Sequence, residues 1–275
     1  RLLKTLMSLA PKKCENSEPV VVLLTPGPLN SAYYEHSFLS DQMGIEMVQA
    51  NDLYVDGEFL DMKTVDGPQR VDVVYRRIDD NYLDPLSFKY ESVIGVPGIM
   101  NVYLSGGVNI CSAPGAGIAD DKSVYVYVPE MINFYLGETP ILNNVHTWRC
   151  EKKDELKYVL ENLNELVVKE VDGSGGYGML VGPKSTKENI EAFSKKLISN
   201  PCGYIAQPTL ELSSTPTLIN NKLTGRRVDL RPFCLLGTEA QLCPGGLTRV
   251  ALEEGSYVVN SSQGGGVKDT WVMSD

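Results

Sequence analysis

The sequence predicts a mixed α/β (α+β) fold: a parallel-sheet α/β domain over residues 1–118, followed by an α+β domain over 119–275. Three observations carry that expectation. Residues 20–48 read as a β-rich run, a helical pattern and a second β-rich run, the signature of a strand–helix–strand unit with parallel strands. Residues 166–182, LVVKEVDGSGGYGMLVG, set two short apolar runs on either side of a glycine-rich loop, which reads as a hairpin. Beyond 213 the pattern changes to short strands and turns, dividing the second domain into 119–212 and 213–275. With 275 residues and 43% hydrophobic content, both parts can bury a core.

Each element follows from local chemistry. Residues 1–9 have helical period and stop before Pro11, so 1–16 reads as the remnant of a leading helix begun earlier. Val20–Thr25 is β-rich and stops at Pro26-Gly27-Pro28. Ser31 to Met43 is helical with Gly44 as its C-cap, and Ile45–Val48 is the next strand. Glu58–Met62, Arg70–Arg76 and Val108–Cys111 complete the strands of the first domain. Ala119–Lys122 opens a helical segment that reaches Leu136, with Asp120 and Asp121 in the first turn, where the helix dipole favours them. Glu151–Leu163 places Leu156, Val159, Leu160 and Leu163 on one helical face. Leu166–Val171 and Met179–Gly182 are the hairpin strands, the second ended by Pro183. Lys184–Asn200 is a helix with Ser185 as N-cap and Glu188 as its capping-box partner. Tyr204–Gln207, Arg227–Leu235, Leu247–Leu252 and Tyr257–Asn260 are the remaining strands.

Composition narrows the function classes. The net charge is −10 and no basic stripe is present, which argues against a nucleic-acid partner. No apolar run approaches the ~20 residues of a membrane span. The opening RLLKTLMSLAPKKC lacks the apolar core and cleavage site of a signal peptide, so a cytoplasmic protein with no membrane partner is expected. Cysteines 14, 111, 150, 202, 234 and 243 have no C-x-x-C spacing and read as reduced, mostly buried thiols. His36 and His146 are the only histidines, which argues against a His-based zinc site or a Ser-His-Asp triad. Any metal should be magnesium, held by carboxylates and phosphates.

The chemistry concentrates in the second domain. Gly173, Gly175 and Gly178 satisfy G-x-G-x-x-G, but a strand follows them, whereas a dinucleotide fingerprint needs a helix there. A loop of Gly173, Ser174, Gly175, Gly176, Tyr177 and Gly178 at a hairpin tip lets backbone N–H groups approach phosphates closely. Lys169, inside the first hairpin strand, adds a point charge; the plainer alternative is a flexible surface hairpin with an edge lysine facing water. Alternation puts Asp229 and Arg231 on one face of a strand; if that strand pairs with the one carrying Arg249, both guanidiniums can converge on a phosphate. The alternative is an Asp229–Arg231 salt bridge. The amide-rich loop through Gln263, Gly264 and Gly265 can offer N–H groups to an oxyanion or acyl phosphate, or be a plain loop. In the first domain the notable groups are Glu35, His36, Arg76 and Arg77; adjacent strand arginines point to opposite faces.

Together these residues resemble the ATP-grasp superfamily. Asp121-Lys122 resembles its first ATP-binding lysine, and Lys169 with Gly173–Gly178 resembles the second lysine and the loop that closes over the phosphates. Ile205-Ala206-Gln207-Pro208 resembles the hinge strand whose backbone meets adenine. The phrases TPGPLNSAYYEHSFL (25–39), YRRIDDNYLDP (75–85), GIADDK (117–122), VVKEVDGSGGYGMLVGP (167–183), DLRPF (229–233) and VVNSSQGGGVKDTWV (258–272) are closer still to its circularly permuted branch, related to glutathionylspermidine synthase. The resemblance implies a pre-ATP-grasp-like parallel-sheet domain followed by a circularly permuted ATP-grasp domain. It implies an ATP-dependent carboxylate–amine ligase working through an acyl phosphate, with small-molecule or peptide carboxylate and amine substrates. ATP would be held by Lys122, Lys169, the glycine loop, Ala206 and Gln207; Arg231, Arg249 and Asn260 would serve the chemistry; Glu35, His36, Arg76 and Arg77 would shape the acceptor pocket. The family's acidic E-x-N hairpin, which holds magnesium, has no counterpart in this sequence. The resemblance therefore implies either part of a longer ligase whose magnesium ligands lie outside these residues, or a nucleotide-binding or interaction module without ligase activity.

Overall fold

The computed structural model describes residues 1–173, 178–260 and 264–273, which cluster into two compact units. The first comprises Arg1–Gly117 with Cys234–Leu242. It opens with α1 (Leu2–Met7), β1 (Val21–Leu24), α2 (Tyr33–Met43) and β2 (Glu46–Val48). Next come β3 (Leu53–Asp56), β4 (Phe59–Thr64), β5 (Gly67–Val71) and β6 (Val73–Arg76). Then follow α3 (Asp80–Leu83), α4 (Ile99–Leu104) and β7 (Asn109–Cys111). Strands β2-β1-β6-β7 form a sheet whose neighbours are all parallel, with Val22 opposite Glu46 and Val74. Every residue of β1 is buried, as expected of a parallel strand covered on both faces. The predicted strand–helix–strand unit is therefore present, and α2 ends at Gly44 with φ +66°, a left-handed cap that favours glycine.

The segment 70–76, expected as one strand, is two. It breaks at Asp72, which is fully buried and accepts a hydrogen bond from the Val20 amide at 2.9 Å. Before the break, β5 belongs to an antiparallel β3-β4-β5 sheet; after it, β6 joins the parallel sheet. Strand β3 was not predicted, because polar and acidic residues dilute its apolar alternation. A second buried carboxylate, Asp84, organises the segment after α3. Its Oδ1 accepts from the amides of Leu86 (2.8 Å) and Gly98 (3.0 Å), and its Oδ2 from Met100 (3.0 Å).

The second unit comprises Ile118–Phe233 with Cys243–Asp275. The long helix expected from 119 to 136 is two short 3₁₀ turns, Ala116–Asp120 and Val124–Tyr127, and then α5 (Val128–Leu136). Asp121 interrupts it: its carboxylate accepts from both the amide and the hydroxyl of Ser123 at 2.7 Å, an Asx-type turn that competes with helix. There follow β8 (Trp148–Arg149), α6 (Lys153–Glu161), β9 (Leu166–Glu170), β10 (Leu180–Val181), α7 (Lys187–Ser199) and β11 (Tyr204–Pro208). Strands β10-β9-β11-β8 form an antiparallel sheet packed on Val159, Leu163, Phe193 and Leu197 from the helical segments. The predicted hairpin holds, with Leu180 opposite Val168. The N-cap of α7 is Thr186, whose Oγ1 accepts from the Asn189 amide, not Ser185; the Ser185 hydroxyl donates to the Val181 carbonyl.

The last part is one sheet of β12 (Ser214–Ile219), β13 (Lys222–Leu236), β14 (Ala240–Val250) and β15 (Gly266–Lys268). Its strands are longer than expected, and Tyr257–Asn260 is not a strand. A two-residue turn of Asn220 (φ +49°) and Asn221 (φ +60°) joins β12 to β13, the geometry that favours asparagine in tight hairpins. All six cysteines are unpaired, but only Cys150 is buried, and burial pushes its thiol up to about 12; Cys202 and Cys234 are exposed, contrary to the expectation of mostly buried thiols.

Asp84→Asn keeps the side-chain shape but turns one acceptor into a donor facing an amide. It should lower the stability of the first unit by about 2–4 kcal/mol, read from urea unfolding at neutral pH; a loss below about 0.5 kcal/mol would reject the structural role of this carboxylate.

Candidate functional site

The site in the second unit is set by the period of β9. Leu166 and Val168 are buried in the core, so alternation sends Val167 and Lys169 to the opposite face. Antiparallel register places Val181 of β10 and Gln207 of β11 on either side of Val167. These four residues form one wall of a cavity of about 370 Å³, within the range of small-ligand sites. Lys122 reaches the same cavity because its amide is tied to the Val171 carbonyl (2.9 Å), beyond the end of β9. Its ammonium donates to the carbonyls of Gly173 and Val171. Lys169 Nζ donates to Gln207 Oε1 at 2.8 Å. Burial, and then the neighbouring Lys122 ammonium, hold the Lys169 pKa below its ordinary value. Among the described residues neither lysine forms an ion pair with a carboxylate, although Glu170 also lines this cavity.

Asp229, Arg231 and Asn260 also line the cavity. Arg231 donates to Asp229 Oδ2 at 3.1 Å and to Asn260 Oδ1 at 2.5 Å, so the salt bridge weighed from sequence exists and holds the guanidinium at the cavity wall. Strands β13 and β14 are neighbours, as the convergence of Arg231 with Arg249 requires. Arg249 lies on β14 opposite Val267, however, and the cavity wall does not include it.

The hinge residues divide. Ala206 is flanked by Trp148 on one side and Val168 on the other and is fully buried, so it sits inside the sheet. Gln207 and Pro208 run past the last β8 pairing and line the cavity with Thr209 and Leu210, which sequence reasoning did not single out. Gly173 and Gly178 flank the glycine loop. Gly178 has φ +67°, a left-handed conformation that disfavours a side chain, and a Cβ there would displace the flexible Glu170 carboxylate, which lies about 2.5 Å away. The candidates Ser174, Gly175, Gly176, Tyr177 and Gln263 lie outside the described residues. Gly264 has φ +78°, and the Gly265 amide donates to the Asn260 carbonyl at 2.9 Å, so that N–H is committed within the loop.

The first-unit candidates sit at the carboxyl ends of β1 and β6. Arg76 pairs with Asp80 (2.6 Å) and donates to the carbonyls of Ser112 (2.7 Å), Ile78 (2.8 Å) and Ala113 (3.2 Å). It holds loops together. Arg77 is exposed, with one long contact to the Tyr75 hydroxyl (3.4 Å). Glu35 is exposed in the first turn of α2, while His36 is 2% exposed, with Nδ1 2.9 Å from the Thr25 hydroxyl. Burial, and then the Arg77 charge, lower the His36 pKa. No described helix is long and apolar enough to cross a membrane, and no described cluster of three or more His, Cys, Asp or Glu could hold a metal.

The family model described as circularly permuted ATP-grasp type 2 matches residues 1–251. The uncharacterized protein sll0335 of Synechocystis sp. is 56% identical over 274 residues, 99% of this chain and 56% of its own length. A Frankia alni protein provisionally named glutamate–cysteine ligase 2-3 is 43% identical over 256 residues, 93% of this chain and 30% of its own. The chain thus spans about half the length of the first relative and less of the second. The solved structure of a glutathione synthetase like-effector (GSS30) from Globodera pallida, in apo form, covers 93% of this chain and 52% of that one at TM-score 0.50 and 14% identity, a likeness of fold alone.

His36 gives a pH test of the first unit. Its folded pKa lies below the unfolded 6.5, so the unfolded state takes up the proton first as pH falls. Stability should be constant above neutrality and decline below pH 6.5, by up to about 1.4 kcal/mol per pH unit. Urea midpoints at pH 5.5 and 7.5 measure this, and His36→Gln should remove the difference.

Proposed function

The chain belongs to the circularly permuted ATP-grasp type 2 family, and from that premise we propose that it is the nucleotide-binding part of a longer ATP-dependent carboxylate–amine ligase. The observation that carries this reading is the pair of lysines, Lys122 and Lys169, brought to one cavity without a carboxylate to pair them. An ATP-sized polyanion supplies the charge those ammoniums lack. Lys122 and Lys169 hold the α- and β-phosphates beneath the glycine loop, and the segment Gln207–Leu210 meets the adenine through its backbone. Arg231, held by Asp229 and Asn260, faces the γ-phosphate. Arg249 on the neighbouring strand strengthens the same positive field.

In the reaction proposed, a carboxylate oxygen attacks the γ-phosphorus and ADP leaves, giving an acyl phosphate. An amine nitrogen then attacks the acyl carbon; phosphate leaves, the nitrogen loses a proton, and an amide remains. Arg231 contributes by electrostatic stabilisation of the phosphoryl group in flight. Beside Arg231, Asp229 Oδ2 and Asn260 Oδ1 accept from its guanidinium while Asp229 Oδ1 has no hydrogen-bond partner; with no described cluster of three or more His, Cys, Asp or Glu around it, this one oxygen does not make a resident magnesium site among the described residues. The acceptor pocket draws on Arg77 and Glu35, the exposed members of the first-unit cluster, with His36 and Arg76 supporting the loops around them.

Calorimetric titration of ATP tests the placement. Lys169→Ala should weaken binding tenfold or more, about 1.4 kcal/mol, and unchanged affinity would reject the cavity as the nucleotide site. In a protein of the full length of the Synechocystis relative, the substitution equivalent to Arg231→Ala should cut turnover by about two orders of magnitude or more while ATP affinity changes little. Absence of any ATP-dependent amide formation by the unsubstituted full-length protein, across amino-acid, peptide and polyamine acceptors, would favour a binding module instead.

A further inference from the structure

We propose that Thr147 is a positioning residue for Lys169, acting through the side-chain amide of Gln207; this rests on the reading of the cavity as a nucleotide site. The argument is one of donor and acceptor accounting. Thr147 is 7% exposed and lies immediately before β8. Its hydroxyl donates its single hydrogen to the Val145 carbonyl at 3.0 Å. Toward any further neighbour Thr147 Oγ1 can therefore only accept. The neighbour is Gln207, whose Nε2 donates to it at 2.9 Å. With its NH₂ end taken by Thr147, the amide must present Oε1 on the opposite side, where Lys169 Nζ donates to it at 2.8 Å.

The same orientation is demanded from the other end, because an ammonium has donors and no acceptor. Threonine, glutamine and lysine thus form a chain with one direction and no conflict. Rotating the Gln207 amide by half a turn would set NH₂ against an ammonium at one end and carbonyl against a hydroxyl oxygen, already committed as a donor elsewhere, at the other. Both contacts would fail together. The start of the chain is also tied down: the Val145 amide donates to the Tyr125 hydroxyl at 2.8 Å, and the Asn144 side-chain amide donates to the Tyr125 carbonyl at 2.9 Å.

The consequence falls on Lys169. One of its three hydrogens is spent on Gln207, and two remain for an anion in the cavity. Lys122 lies nearby as a like charge, so the Gln207 oxygen is the polar contact recorded for the Lys169 ammonium among the described residues. Removing the Thr147 acceptor leaves the amide held at the Lys169 end alone, with its NH₂ unpartnered, so the oxygen that aims the ammonium is no longer anchored.

Thr147→Val is close in shape and lacks the acceptor; Thr147→Ser keeps it. By calorimetry, Thr147→Val should weaken ATP binding about tenfold, and Thr147→Ser should stay within about twofold of the unsubstituted chain. In a Gln207→Leu background, Thr147→Val should add nothing further, because the effect travels through the amide. Equal affinity for Thr147→Val, failure of the serine variant to restore binding, or full additivity with Gln207→Leu would each overturn the proposal. A second readout needs no nucleotide: nuclear magnetic resonance should show the Gln207 side-chain amide protons slowly exchanging in the unsubstituted and serine chains and fast in the valine chain. Unchanged exchange in Thr147→Val overturns the proposal. If the unsubstituted chain binds no ATP, the nucleotide reading fails, and the exchange measurement alone decides whether Thr147 orients Gln207.

Discussion

An ammonium group withdrawn from water beside a second ammonium is the condition around which the second unit is arranged. Leu166 and Val168 occupy the core face of β9, so Lys169 points to the cavity, where among the described residues it forms no ion pair although Glu170 and Asp229 share the lining. Burial and Lys122 both act against its charge. A neutral amide oxygen offsets only part of that cost. On the proposed reading a bound anion supplies the remainder, and Arg231, held by Asp229 and Asn260, adds a third cation to the lining of the same cavity.

The first unit uses charge in the opposite way. Asp84 is closed off by backbone amides, Asp72 by the Val20 amide and the nearby Arg70, and Arg76 by Asp80 and carbonyls. These groups are engaged by the protein itself and pin irregular segments between strands, although one oxygen each of Asp72 and Asp80 has no hydrogen-bond partner among the described residues. Arg77, one residue beyond Arg76, has one long hydrogen bond and stands exposed. The protein acceptors within reach separate Arg76 from Arg77, since the two are adjacent and chemically identical.

Several features were legible because they depend on neighbours in the chain. The run Val21–Leu24, the Gly44 cap and the hairpin around Gly173–Gly178 follow from short-range pattern and backbone freedom. The errors share a cause as well. Asp121 bonding to Ser123 breaks the helix expected through Lys122, and Asp72 turns one apolar run into strands of two sheets. Shifting the α7 cap from Ser185 to Thr186 changed only which hydroxyl meets the first free amide. In each case a polar side chain chose among backbone conformations that the hydrophobic period leaves equally open.

By itself, then, the sequence determined the type of the main elements, the family and that Lys122, Lys169 and Arg231 are the cations to look for together, because apolar period and motif spacing are local properties. Which of those charges are free to bind was decided only in three dimensions. Hydrogen bonds from Lys169 to Gln207 and from Gln207 to Thr147 cross intervals of 38 and 60 residues, and the Arg231–Asn260 contact spans 29. Saturation of a donor depends on acceptors brought in from distant segments, and the spacing of residues along a chain holds no record of where those acceptors arrive.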